Sequence, residues 1–145
     1  MPGDETKIKL LTLEEANTLL PQVRKDLAAL RRQRAAIFRT QAQVEIEEMT
    51  GESVNGSLSP ASQAVVTKQM DVLHLQTRKF EEKLEQMNQR GAHLKDLDLG
   101  LVDFYSRRGR EVVFLCWKEG EPEIRHWHTL QGGLRNRKPL DPPVL

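Results

Sequence analysis

One cysteine, Cys116, stands in 145 residues, so no internal disulfide can hold this chain together. Aromatic residues make up 5% of it and apolar residues 38%, a supply that suits helices with narrow apolar seams better than a large globular core. Long apolar runs are missing. Nothing approaches the roughly 20 residues of a membrane span, and the apolar residues near the start (Ile8, Leu10, Leu11, Leu13) are too few and too interrupted by charge for a signal peptide. Excess charge of one sign is missing as well. Lys+Arg number 22 and Asp+Glu 21, a net of +1, which gives no global pull toward nucleic acid or membrane. No internal repeat is visible. The expectation is a cytoplasmic protein without membrane contact, one domain spanning residues 1–145.

What is present is periodicity. Thr12-Leu13-Glu14-Glu15 reads as a capping box, in which Thr12 and Glu15 each accept the other's backbone N–H. Apolar positions then fall at Leu13, Ala16, Leu20, Val23, Leu27, Leu30, Ile37 and Val44, spaced three and four apart as in a coiled-coil seam. The spacing predicts a helix over 12–49. Pro21 predicts a kink, or a short helix 13–19 followed by a long one. Residues 50–59 read as a turn-rich loop. Ser59-Pro60 reads as the cap and first position of a second helix over 60–90, with a seam at Val66, Met70, Leu73, Phe80, Leu84 and Met87, and Leu94 continuing the pattern beyond its end. Gly91 is its expected end. The two helices predict an antiparallel hairpin, in which Leu30 meets Phe80, Ile37 meets Leu73 and Arg34 lies opposite Thr77.

Beyond Gly91 the period changes. Residues 100–104, 110–117 and 123–130 are rich in Val, Phe, Trp and Ile and read as strands, with a turn in Lys118-Glu119-Gly120-Glu121-Pro122. The expected fold is α+β: a long two-helix hairpin, coiled-coil-like, with a small three-stranded antiparallel sheet over 100–130 at its open end. Residues 131–145 read as an irregular tail.

LTLEEANTLLPQVR near the start, LKDLDLGLVDF, REVVFLCWKEGEPEIRHWH and the late glycine, arginine and RKPL segment together resemble the bacterial and archaeal domain of unknown function 2203 family. The resemblance covers nearly the whole chain, with residues 40–80 carrying little of it. It implies a small standalone protein and brings no assigned activity. It marks Asp103, Cys116, Trp117, Gly120, Glu121, Pro122, Trp127 and His128 as motif positions, and does not mark His126.

The residues themselves offer three kinds of site. His126-Trp127-His128 on a strand puts both imidazoles on one face, where they could share a metal. Zn or Fe would need further ligands, for which Cys116, Asp103 and Glu123 are the candidates. A two-residue turn at Glu119-Gly120 sets Cys116 opposite Glu123, on the face of Trp127. One bulged residue sets it opposite Ile124, on the face of both histidines. The plain alternative is a buried cysteine acting as a small hydrophobe, with Asp103 accepting from Arg135 or Arg137. A nucleophilic Cys116–His128 pair lacks an oxyanion hole and lies in an apolar strand, where a thiolate is disfavoured.

The second kind is a basic track. Residues 21–40 hold six Lys/Arg and one Asp, net +5, whereas 41–60 hold four Glu and no base, net −4. Arg31, Arg32, Arg34 and Arg39 could follow RNA or DNA phosphates or pair with the acidic half of another copy. The third is a weaker apolar stripe at Ala28, Ala35, Ala42, Val65, Val72 and Leu75, which suits self-association into a homodimer or higher oligomer. The favoured expectation is a non-enzymatic, oligomeric interaction or scaffold protein. A metal-binding or redox protein using Cys116 and His128 is the next, and a nucleic-acid-binding arm the third.

Overall fold

A computed structural model describes residues 8–140. Residues 1–7 and the last five of the expected tail, 141–145, lie outside the described residues. Helix α1 spans Leu13–Thr50, and strands β1 (Ser53–Val54) and β2 (Ser57–Leu58) lead into helix α2 (Pro60–Arg90). Strands β3 (His93–Asp96), β4 (Leu101–Arg108), β5 (Glu111–Lys118), β6 (His126–His128) and β7 (Lys138–Pro139) follow, with a short 3-10 turn at Leu134–Asn136 before the last. The class is α+β. No described helix is long and apolar enough to cross a membrane. The chain divides into two compact units, one up to Leu27 and from Leu84 onward, the other Ala28–Lys83.

The helix ends follow local chemistry. Glu15 N–H donates to Thr12 Oγ1 at 3.1 Å and Thr12 N–H to Glu15 Oε1 at 2.8 Å, which closes the capping box. That donated N–H holds the Glu15 carboxyl below its usual range. Helix α1 runs uninterrupted for 38 residues with Pro21 inside it, so the division into a short and a long helix does not occur. Ser59 Oγ accepts from Ser62 N–H at the start of α2. At its end Ala92 N–H reaches Met87 O and Gly91 N–H reaches Asn88 O, the paired bonds of a Schellman cap.

In the helical unit, Leu30 and Val44 are buried and Ile37 half-buried, while Val66, Met70, Leu73 and Phe80 are half-buried on α2. Arg32, Gln33, Ala36, Gln76 and Lys79 line one groove. The segment between the helices is not a plain loop. Asn55 and Gly56, at φ 53° and 80°, turn β1 back onto β2, as an Asn-Gly type I′ turn does.

In the other unit, the expected three-stranded sheet is corrected to five strands in the order β3-β4-β5-β6-β7, every neighbour antiparallel. The two added strands are edges of four and two residues, too short to display an alternating pattern, and Pro139 suits an edge because it donates nothing to a ladder. One face of the sheet carries Val102, Phe104, Val113, Leu115 and Trp117, all buried. It meets the start of the chain: Leu11 N–H donates to Tyr105 O, Ser106 Oγ to Leu11 O and Ile124 N–H to Asn17 Oδ1. The Arg24 guanidinium lies over Trp117. Buried Asp26 on α1 accepts from Gln22 and from Arg90 at the end of α2.

The residue opposite Cys116 differs from both alternatives considered, since Cys116 lies opposite His126, Leu115 opposite Trp127 and Phe114 opposite His128, but Cys116 does share its face with both histidines, as the bulged alternative expects. The connection is longer than a tight hairpin because Glu121 builds its own turn. Its carboxylate accepts Lys118 N–H at 2.8 Å and its carbonyl accepts Trp117 Nε1–H at 2.9 Å, and Ile124 then turns into the core.

Gly91 and Gly120 have nearly the same φ, 106° and 105°, but a Cβ at Gly91 would lie 2.7 Å from Leu11 Cδ1, whereas one at Gly120 meets nothing within 4 Å. Each alanine substitution should cost about 1–2 kcal/mol for the left-handed backbone. Gly91→Ala should cost more than Gly120→Ala by a further ~1 kcal/mol or more. Urea unfolding of the two variants checks this, and equal losses would contradict the Leu11 contact.

Candidate functional site

The opposite face of the sheet carries polar and aromatic side chains in place of a second aliphatic layer. Four strands set His93, Asp103, Cys116 and His126 side by side in one row. The next row holds Tyr105, Phe114 and His128, ring against ring, with His93 edge-on to Tyr105. Alternation along each strand puts all of them on the same side.

Within this surface Asp103, Cys116 and His128 converge. Each is at most 3% exposed. One donor atom from each lies within 4.8 Å of the others. His128 Nδ1 is 2.7 Å from the Thr129 carbonyl. A carbonyl only accepts, so Nδ1 carries a proton and donates it. Nε2 then faces Asp103 Oδ2 at 2.9 Å, so either the ring holds a second proton or the carboxyl supplies one. Asp103 Oδ1 has no hydrogen-bond partner.

Burial raises the Asp103 carboxyl above the usual carboxylate range, opposed by His128 and by the Cys116 thiol beside it. Burial also drives the Cys116 thiol from 9.0 up to about 12, and the Asp103 carboxylate adds to that, while Arg137 works the other way. A free thiolate is therefore strongly disfavoured here, which argues against the nucleophilic reading of Cys116.

Arg137, Glu121, Lys95 and Gly132 lie around the three. Arg137 donates to both Glu121 oxygens, at 3.0 and 2.8 Å, and lies beside Cys116. Burial alone would raise the Glu121 carboxyl, but Arg137, Lys118 N–H and His126 together hold it below its usual range. The ion pair fastens the segment leading into β7 to the β5–β6 connection. Lys95 lies over Phe114, and Gly132 approaches so closely that a Cβ there would lie 3.3 Å from His128 Cβ.

Of the residues singled out in the sequence, Asp103, Cys116 and His128 come together. His126 is their neighbour in the row, with Nδ1 3.4 Å from Glu121 Oε2 and no hydrogen bond across that gap. Glu123 stands apart, exposed and paired with Arg125 at 3.2 Å. Arg137 pairs with Glu121, not with Asp103, and Arg135 is exposed. In the helical unit Arg32 and Arg39 are exposed and Arg31 and Arg34 half-buried. His93 was not foreseen. Its Nε2 is buried without a partner, and burial, with Lys95 adding to it, lowers its pKa. Only its place just after the helix-ending glycine could have drawn attention to it.

Chelator-treated native protein should leave Cys116 unreacted toward iodoacetamide at pH 7–8, with alkylation becoming rapid on unfolding in urea. Rapid modification of the folded protein at neutral pH, measured by mass spectrometry, would contradict both the burial and the raised pKa.

No curated protein and no solved structure matches the chain. The profile of the family described as "Uncharacterized conserved protein (DUF2203)" matches residues 9–140. That span contains both α-helices and all seven strands of the described residues, and the chain belongs to the DUF2203 family.

Proposed function

We propose that this protein binds a transition-metal ion, Zn2+ or Fe2+, through His128 Nε2, Cys116 Sγ and the Asp103 carboxylate. The observation that carries the reading is the convergence of one nitrogen, one sulfur and one oxygen donor within 4.8 Å, all buried. Ligand atoms around a four-coordinate zinc lie roughly 3.4–3.8 Å apart, so small side-chain shifts close the set on an ion. Two details support it. A metal-bound histidine commonly donates its other ring N–H to a carbonyl or carboxylate, and His128 Nδ1 makes that bond to Thr129. The unpartnered, buried Asp103 Oδ1 is accounted for if a cation lies against it.

The mixed donor set suits borderline ions and not Mg2+ or Ca2+, which take oxygen ligands. A bound dication reverses the electrostatics that keep the thiol protonated, since a coordinating thiol is deprotonated outright. Arg137 beside the sulfur favours the same charge state. Three protein ligands leave a fourth position, for water as in catalytic zinc sites or for His126.

Protein purified without a histidine tag should retain about one Zn or Fe per chain, by elemental analysis. Asp103→Asn, Cys116→Ser and His128→Ala should each lower metal affinity about tenfold or more, and chelation should lower the melting temperature of the wild type. Metal-free protein whose melting temperature neither Zn2+ nor Fe2+ raises would overturn the reading and leave Asp103–His128 as a buried structural pair.

A further inference from the structure

Four strands bring His93, Asp103, Cys116 and His126 into one row, and an ion held by Asp103, Cys116 and His128 accounts for only part of it. His93 lies directly opposite Asp103 on the neighbouring strand, where the Cβ atoms of facing residues are about 4.5–5.5 Å apart. Its Nε2 is buried and has no hydrogen-bond partner. Asp103 Oδ1 is in the same condition. Two facing residues thus carry one buried nitrogen and one buried oxygen that are both unsatisfied, and leaving such atoms unpaired is costly.

An ion does not by itself satisfy the carboxylate. His128 Nε2 meets Asp103 Oδ2 at 2.9 Å. Once that nitrogen turns its lone pair to a metal, it donates nothing to Asp103. The Cys116 thiol, which lies beside the same carboxyl, loses its proton when it coordinates. One carboxylate oxygen then goes to the ion, and the other is left buried without a donor. The cations nearby are engaged elsewhere, Arg137 on Glu121 and Lys95 over Phe114. His93 offers what is missing, a buried ring nitrogen one strand away that can carry a proton.

The place of His93 is set from outside the site. Gly91 and Ala92 close the end of α2 through bonds to Asn88 O and Met87 O, and Ala92 is buried. The His93 ring then stands edge-on to Tyr105, with centroids 5.0 Å apart. Carboxylates that ligate a metal are themselves hydrogen-bonded by neighbours that do not touch the ion.

We infer that His93 is a positioning residue of the metal centre: as its Nε2–H tautomer it donates to the Asp103 oxygen that faces away from the ion, and so presents the other oxygen to it. The role rests on the metal site proposed above and adds no ligand to it.

Cobalt(II) titration of chelator-treated protein, with a competing chelator to read affinity, tests the role in wild type, His93→Leu and His93→Gln. The glutamine amide keeps an N–H near the position of Nε2–H, and leucine keeps none. His93→Leu should bind cobalt about tenfold more weakly, and His93→Gln should recover most of that loss. At saturating cobalt both variants should show the thiolate charge-transfer and visible bands of the wild type, because the ligands are unchanged. Metal-free His93→Leu should melt no lower than the metal-free wild type, since an apolar side chain replaces an unsatisfied one. His93→Leu binding as tightly as wild type would overturn the inference and leave the three-ligand site standing. So would His93→Gln no better than His93→Leu, or an affinity lost only together with the metal-free fold. A visible band altered at saturation would make His93 a ligand and overturn the positioning role. A wild type without a charge-transfer band would remove the site and the role together.

Discussion

The register of β5 against β6 decides what this protein can do. Cys116 opposite His126 and Phe114 opposite His128 place both imidazoles on the face of Cys116 and Asp103. A slip of one residue would turn both histidines to the apolar face and bring Trp127 to the polar one. The register is held by Glu121, whose carboxylate takes Lys118 N–H and both Arg137 contacts while its carbonyl takes the Trp117 indole. One side chain thus fixes the turn, ties the segment leading into β7 to it and sets the site.

A buried carboxylate, thiol and imidazole side by side are costly to assemble if they serve only as packing, since apolar residues of similar size would do as well or better. The sheet does pack apolar residues in that way on its other face, where Val102, Phe104, Leu115 and Trp117 are buried. The contrast between the faces is the physical argument for a ligand. A cation held by the three would satisfy Asp103 Oδ1, take the place of the shared proton between His128 and Asp103, and convert the protonated thiol into the donor its position suggests.

Much of this was legible in the sequence. The helix caps, the shielded seam positions and the two long strands follow from spacing and from single residues such as Thr12, Ser59 and Gly91. Asp103, Cys116 and His128 were visible as candidates because residue types carry chemistry and because His126 and His128 must share a face. Less legible was anything that depends on one side chain reaching across sequence. The Glu121 turn lengthened the β5–β6 connection beyond what Glu119-Gly120 suggests, and this left Glu123 on the surface. The strands at His93–Asp96 and Lys138–Pro139 exist only because β4 and β6 offer them an edge, so no local periodicity announces them. The Asn55-Gly56 turn carried a clear signal, but the strands it joins are two residues each.

The central claim is that Cys116, His128 and Asp103 ligate one metal ion. Cobalt(II) added to chelator-treated protein tests it most directly, because thiolate ligation produces an intense near-ultraviolet charge-transfer band and four-coordination a strong visible one. Both bands should saturate at about one cobalt per chain, and the ultraviolet band should be absent from Cys116→Ser. Cobalt that produces no charge-transfer band, or a band unchanged in Cys116→Ser, would contradict the account.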